Sequence, residues 1–450
     1  MTAIAQWFWR LLPPGFRSWL YHRLRSVLGR LHLLALSLLL RFGYLIRRWR
    51  APRPIDPTNR TVLHLTGSFD VGGTQTQIKH ICTAAGTRYT HTASEIFPEI
   101  NYLYRQGIGI DAERYSTGGL MAKTIGRLVP SPNYRSSLLV QVYKLVRDFQ
   151  VERPVAAVCW GHEMCMVGFI AAAIARVPQI VFCIRTFRPE NWTGPEHADL
   201  LLHAHRQMSS QVSAITANST LLQADHADWA GIDPASIVVC PNGIDVQALS
   251  PEEACRARSE VRARYGIPDD AIVLVNVGRF SMEKGQRSIV EANRLLLGRG
   301  ADRPFVWLLC GDGITLPEMK TAAAAYGMTN MIFPGRTTGI REVLAASDIF
   351  VMPSDFEGMP NAMMEAMAAG LPCISTTRSG ARDVARDGVE ALYYEPRDHL
   401  QLARHAWRLI HDLEEARRLG AAAAERIKEF SVARLVAGFE TVLDRTRPAN

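Results

Sequence analysis

The stretch Pro353-Ser-Asp-Phe-Glu-Gly-Met-Pro-Asn-Ala-Met-Met-Glu-Ala-Met-Ala-Ala-Gly370 decides the fold. Just ahead of it, Asp348-Ile-Phe-Val-Met352 is a short apolar run of strand length. Ser354 to Gly358 form a polar turn. Pro360 then sits near the first turn of an Ala/Met-rich helix that Gly370 stops. This places Glu357 on the loop and Glu365 about one turn inside the helix, so both acids can face a ligand over its N-terminus. That end presents unpaired N–H groups and a partial positive charge, a seat for phosphate. An anion seat flanked by two carboxylates suits a molecule with phosphates in its middle and hydroxyls at both ends, such as a nucleotide sugar. The competing reading is a buried helix with two solvated acids.

The same strand–turn–helix unit recurs on both sides. Ile272-Val-Leu-Val-Asn-Val277 is a buried strand running into Gly278-Arg279 and Glu283-Lys284-Gly285. Phe305 to Cys310 turns at Gly311-Asp-Gly313, and Met331-Ile-Phe333 leads into Gly335-Arg336. Leu371 to Ser375 continues that sheet, and the tail from His399 is helical. Upstream, Thr61 to Leu65 reads as a first strand before a glycine turn at Gly72-Gly73 and a helix. The glycines are not spaced as G-x-G-x-x-G, so the dinucleotide fingerprint is absent. Val155 to Trp160 and Ile180 to Ile184 follow, the first ending on Gly161-His162-Glu163 and the second on Arg185. His162 therefore stands where open α/β sheets place ligands, although a structural histidine is an equal reading. Pro241-Asn242-Gly243 is the turn between the halves. The expectation is an α/β chain of two doubly wound Rossmann-like domains facing a cleft. Its domains are residues 56–242 and 243–428, with a C-terminal helix, 429–450, packing back on the first.

Of 450 residues, 48% are hydrophobic and 21% charged, values of a globular chain too long for one core. The net charge of +8 is uneven. Residues 1–55 hold ten arginines and no acid, which leaves 41 basic against 43 acidic residues elsewhere. The basic character thus belongs to the leader, and nucleic acid is not an expected partner. The eight cysteines show no C-x-x-C pair and no zinc spacing, as in a reducing compartment. The leader's longest charge-free apolar run is about ten residues, against the roughly 20 needed to span a bilayer. With its tryptophans and arginines it reads as a basic, apolar helical segment, 1–50, lying on an anionic membrane surface. A helix packed on the body or on a partner chain is the alternative. The expected location is the cytoplasmic face of the membrane, peripheral or monotopic.

Jointly these motifs resemble the retaining glycosyltransferases of family 4, the glycosyl transferases group 1, built on the two-Rossmann GT-B fold. The resemblance rests on Asn242-Gly243-Ile244-Asp245, Gly278-Arg279 with Glu283-Lys284-Gly285, Gly311-Asp-Gly313, the Glu357/Glu365 pair and the Pro-x-Ile strand after Gly370. It implies that Glu365 accepts hydrogen bonds from the nucleotide ribose and Glu357 from the donor sugar. Charge developing on the leaving phosphate calls for fixed cations, and Arg279 and Lys284 are the natural pair. Backbone N–H groups along the stretch Gly358 to Asn361, from Met359 and the residues flanking Pro360, would take a phosphate, with Gly72, Gly73, Gly311 and Arg336 near the nucleotide. The donor expected is a nucleotide-diphosphate sugar, UDP ahead of GDP, carrying a hexose to a lipid-linked acceptor, with no metal cofactor. Where many members carry two histidines this chain has Trp160-Gly161-His162-Glu163, and it has Arg185-Thr186 where another histidine is frequent. The family's acceptor-side roles therefore stay open here, with His162 kept as a catalytic candidate beside Arg279, Lys284 and Glu357. A nucleotide-sugar epimerase and an inactive binding protein are the alternatives on the same fold.

Overall fold

The computed structural model describes Leu38 and residues 41–49, 51–54, 56, 58–67, 72–95, 138–191, 193–246, 249–300 and 303–446. The first domain contains β1 (Thr61–Thr66), α1 (Gly73–Thr83), β2 (Thr90–Glu95), α2 (Leu138–Glu152), β3 (Ala156–Trp160), α3 (His162–Ala175), β4 (Gln179–Ile184), α4 (Pro195–Met208), β5 (Ala214–Ala217), α5 (Thr220–Ala230) and β6 (Ile237–Val239). The second contains α6 (Pro251–Tyr265), β7 (Ile272–Val277), α7 (Arg287–Arg299), β8 (Phe305–Cys310), α8 (Leu316–Ala325), β9 (Met331–Gly335), α9 (Ile340–Ala345), β10 (Ile349–Met352), α10 (Asn361–Ala368), β11 (Cys373–Thr376), β12 (Ala391–Tyr394), α11 (His399–His411) and α12 (Leu413–Arg426). A last helix, α13 (Val432–Arg445), returns to the first domain.

Each domain has one parallel sheet, ordered β2-β1-β3-β4-β5-β6 and β12-β11-β10-β7-β8-β9. Continuous apolar strands such as β4 and β8 are buried along their whole length, as a parallel sheet covered on both faces requires. The orders fix where a ligand can enter. In the second sheet the chain runs outward from β7 to β9, then restarts at β10 on β7's other side. The crevice lies at that reversal, outside the carboxyl ends of β7 and β10. The segments that leave those ends are Gly278-Arg279 and Pro353-Ser354, the two stretches singled out by sequence. In the first sheet the reversal lies between β1 and β3, whose ends carry the Gly72-Gly73 turn and Gly161-His162.

Asp348 anchors the start of β10. Its carboxylate accepts from Arg258 at 2.8 Å, from the buried Arg262 at 2.9 Å and from Val273 N at 2.8 Å. Helix α13 lies against the first sheet, with Phe439 stacked on Trp160 at 5.4 Å between ring centres. Gln179 Nε2 donates to Leu443 O at 2.8 Å, and Arg88 pairs with Glu440 at 2.8 Å.

Most of the basic leader, residues 1–37, lies outside the described residues. Residues 41–49 are helical. Gly43 packs against Ile170, and Arg47 donates to Val177 O and Pro178 O at 2.6 and 2.9 Å, so this helix is docked on the first domain. Among the described residues no helix is long and apolar enough to cross a membrane.

Candidate active site

The second domain's crevice is shaped by close backbone approaches. Gly285 has φ +64°, and a Cβ there would stand 2.2 Å from Pro353 O. Gly311 has φ +148°, with a would-be Cβ 1.8 Å from Gly278 O. Only glycine fits both conditions, so the loops after β7, β8 and β10 are pressed together. Asp355 N donates to Glu283 O at 2.8 Å across the same gap.

This packing brings Lys284 onto Glu357: Nζ donates to Oε1, and Ser354 Oγ stands 3.4 Å from the same oxygen. The two side chains are 27% and 19% exposed, so the pair is partly shielded yet reachable. Arg279 is mostly exposed and meets Glu283 at 3.2 Å, while Ser281 Oγ holds Glu283 at 2.6 Å. Lys284 and Glu357 are thus joined directly, and Arg279 stands beside them with its guanidinium in solvent. Gly311 N donates to Gly335 O at 2.9 Å, which sets the exposed Arg336 next to the Gly311 turn.

Glu365 lies one turn beyond Asn361 on the same face of α10. No hydrogen bond or ion pair to its carboxylate exists among the described residues. Burial pushes its pKa up to about 7. A half-buried carboxylate without a partner in a crevice is a binding candidate with a physical rationale.

Helix α10 starts opposite α1 of the other domain, and among the described residues neither start has a side-chain cap. Asn361 Nδ2 donates to Gly73 O at 3.1 Å, so two uncapped N-termini, with their partial positive charge, meet across the cleft. Met359 is tied to the linker instead of standing open: its carbonyl accepts from Asn242 Nδ2 at 3.2 Å. Asn242 also reaches Asn361 Oδ1 at 2.7 Å and accepts from Arg185 Nη1 at 2.6 Å. Gln77 closes the network, with Gly243 N donating to its Oε1 at 2.8 Å.

His162 is placed differently. Its ring is only 2% exposed and packs in the first domain's core against His205, His226 and Trp229. Nε2 bonds Thr186 O at 3.1 Å. The strand end was read correctly from sequence, but the side chain turns inward, and the structure does not bring it to the donor-side acids. Among the described residues, these three histidines are the one group of His, Cys, Asp or Glu spaced for a shared metal.

Sequence reasoning missed Gln77, which carries no motif signal. It left Arg185 without a role. Arg185 is 8% exposed, stacked on Trp160 at 4.3 Å, and its Nε and Nη2 have no oxygen acceptor among the described residues. A cation at a strand's carboxyl end with no nearby acid was the available signal.

Residues 257–426 match the family model of glycosyl transferases group 1. That span is most of the second domain, including every donor-side residue above. EpsF of Bacillus subtilis (strain 168) is 27% identical over 330 residues, covering 71% of this chain and 80% of that protein. The Escherichia coli UDP-Gal:alpha-D-GlcNAc-diphosphoundecaprenol alpha-1,3-galactosyltransferase is 25% identical over 266 residues, 58% of this chain and 66% of that enzyme. The structure of Anabaena HepE in complex with UDP and glucose superposes with a TM-score of 0.71 at 20% identity, covering 86% of this chain and 100% of that one. The architecture is GT-B, and the second domain is similar to glycosyltransferases in sequence as well as in fold.

Proposed function

We propose that this protein is a retaining glycosyltransferase that moves a hexose from a UDP-sugar to a lipid-linked acceptor at a membrane surface, in polysaccharide or glycolipid biosynthesis. The observation that carries the reading is the Lys284–Glu357 pair beside the partnerless Glu365, at the switch-point crevice and below two uncapped helix N-termini. The diphosphate lies over the N-termini of α10 and α1, and Lys284, with Arg279 swung in from solvent, takes the charge that grows on the leaving phosphate. Glu357 then exchanges Lys284 for hydroxyls of the sugar, and Glu365 accepts from the ribose. With fixed positive charge supplied this way, transfer needs no divalent ion on the phosphates.

UDP is favoured because HepE is solved with UDP and with UDP-glucose. A lipid-linked acceptor is favoured by the name of the Escherichia coli relative, whose acceptor is a diphosphoundecaprenol. The docked helix adds physical support. Phe42, Leu45 and Trp49 are 54, 49 and 78% exposed and fall on one helical face, with Arg41 and Arg48 exposed beside them. Aromatic and aliphatic groups flanked by arginines suit an anionic headgroup layer.

Product analysis tests the reading. Full-length protein, a UDP-hexose and a polyprenyl-diphosphate-linked sugar should yield UDP and an extended lipid with the donor's anomeric configuration. Adding Mg²⁺ or Mn²⁺ should not raise the rate. Release of epimerised free sugar, or no turnover across a panel of nucleotide sugars, would overturn it.

A further inference from the structure

We propose that His162, His205 and His226 form a binding site for one divalent late-transition-metal ion, with Zn²⁺ the best fit, in the core of the N-terminal domain. Three helices converge there: His162 opens α3, His205 lies in the last turn of α4, and His226 is midway along α5. The ring centres are 5.1, 5.2 and 5.5 Å apart. Three imidazoles around one tetrahedral ion at about 2.0–2.1 Å put their ring centres roughly 5 Å apart. The candidate nitrogens all lie within 4.8 Å of one another, so a modest side-chain rotation closes the set.

The tautomers are set for ligation. His162 Nε2 meets Thr186 O at 3.1 Å, and His205 Nε2 meets His162 O at 3.2 Å. A carbonyl only accepts, so in both neutral rings Nε2 carries the proton and Nδ1 the lone pair. Metal-ligating histidines show this arrangement, the second ring N–H being fixed by a backbone carbonyl. His205 Nδ1 and both nitrogens of His226 are buried with no hydrogen-bond partner among the described residues. Buried polar atoms left unmet are costly, and here they cluster at one point.

An all-imidazole set suits Zn²⁺, Cu²⁺ or Ni²⁺ and not the oxygen-seeking Mg²⁺ or Ca²⁺. Partial counter-charge is at hand. Asp225, itself paired with Arg188 at 2.7 Å, and Glu190, which accepts from Trp229 Nε1 at 2.8 Å, both act electrostatically on His162. An ion here would bind the start of α3 to α4 and α5, and the His162 Nε2 bond to Thr186 O carries that hold to the segment after β4, where Phe187 meets Phe356 at 5.4 Å. Its role is to stiffen the first domain's wall of the cleft, apart from the transfer chemistry.

The test uses full-length protein stripped with chelator. Zn²⁺ titration against a chromophoric competitor should give one ion per chain and a raised Tm, and Co²⁺ should give the intense visible bands of a tetrahedral site. His226→Leu and His205→Gln should each weaken binding by about 100-fold or more, since even outer-shell losses cost about 10–100-fold. His203→Gln, on the exposed side of α4, should change nothing. If His226→Leu fails to fold, the Co²⁺ spectrum and stoichiometry of the unaltered protein still decide. Absence of stoichiometric binding, or equal affinity in folded His226→Leu, overturns the site and leaves a buried water as the partner of these nitrogens. Neither result depends on glycosyl transfer.

Discussion

The two sheets reverse their order in the same way, yet the two crevices this creates differ in kind. At the ends of β7 and β10 stand Lys284, Glu357 and Arg279, charged and partly open, with the half-buried Glu365 one turn into α10. At the ends of β1 and β3 the protein fills its own crevice. Trp160 Nε1 donates to His64 Nδ1 at 3.0 Å, His64 Nε2 faces His91 Nδ1 at 3.0 Å, and Phe439 covers Trp160. Burial lowers the pKa of both histidines, His91 to about 4, so their rings are neutral at physiological pH, with Arg185 and the Arg88-paired Glu440 as charged neighbours. One fold thus offers two equivalent seats, and packing decides which receives the charged ligand. In the proposed mechanism the second sheet supplies the charged side chains, while the first braces the cleft and adds only the N-terminus of α1.

Removing charge from the second crevice should have the largest effect. Lys284→Ala takes one preorganised cation from the leaving phosphate and leaves Glu357 without its partner. Turnover should fall by about 10²–10³-fold with the fold intact by circular dichroism. Arg279→Ala should lose on the order of a hundredfold, because its guanidinium reaches the phosphate only with donor bound. Near-normal turnover in both variants would mean that the charged crevice is not the donor seat.

The counterpart in the first crevice should respond more weakly. Arg185 is a buried cation with no carboxylate beside it, held by Asn242 and the face of Trp160. Arg185→Gln relieves a desolvation cost, so Tm should hold or rise. It also loosens Asn242, which fixes Met359 O and Asn361 Oδ1 across the cleft. KM should rise by roughly tenfold, with kcat changed less. A loss of kcat comparable to that of Lys284→Ala would abolish the distinction between a bracing sheet and a binding one.

The docked helix tests the acceptor side at smaller scale. Replacing Phe42, Leu45 and Trp49 together with serine leaves Arg47 free to hold the helix on Val177 and Pro178. Co-sedimentation with anionic vesicles should fall severalfold while UDP-sugar binding stays unchanged. Unchanged sedimentation would remove this face from the membrane reading.

The second domain's crevice was legible in sequence because its information is local. Gly278-Arg279, Gly285, Gly311 and the run from Pro353 to Gly370 each follow a strand in sequence, and at Gly285 and Gly311 backbone collisions exclude any other residue. What escaped has long-range or inverted logic. Strand β2, Thr-His-Thr-Ala-Ser-Glu, has no apolar run because it lies at the sheet's edge. The carboxamides of Gln77, Asn242 and Asn361 meet over separations of up to 284 residues, which no spacing reveals. His162 sits at a correctly read strand end, but only the placement of α4 and α5 shows its ring joining His205 and His226.

Glu365 separates binding from bracing within one residue. Its pKa near 7 exceeds the ordinary value of 4.5 because burial disfavours the anion. The folded chain therefore holds more proton than the unfolded one between about pH 4.5 and 7. The stability this lends is full below the unfolded pKa and is lost as pH rises through 7. Glu365→Gln should consequently raise Tm at pH 8, by an amount equivalent to about 1–2 kcal/mol after allowing for partial exposure, and change it little at pH 5. Ribose hydroxyls that donate to the carboxylate favour its ionised form, so donor binding releases a proton. UDP-sugar affinity should climb with pH up to about 7 and then level, with a slope of at most tenfold per unit. The diphosphate of a UDP-sugar does not titrate in this range, so the slope belongs to the protein, and Glu365→Gln should bind weakly with no slope. If the substitution instead lowers Tm at pH 8 and leaves the pH profile intact, Glu365 is a packing residue, and the ribose has another partner in the crevice.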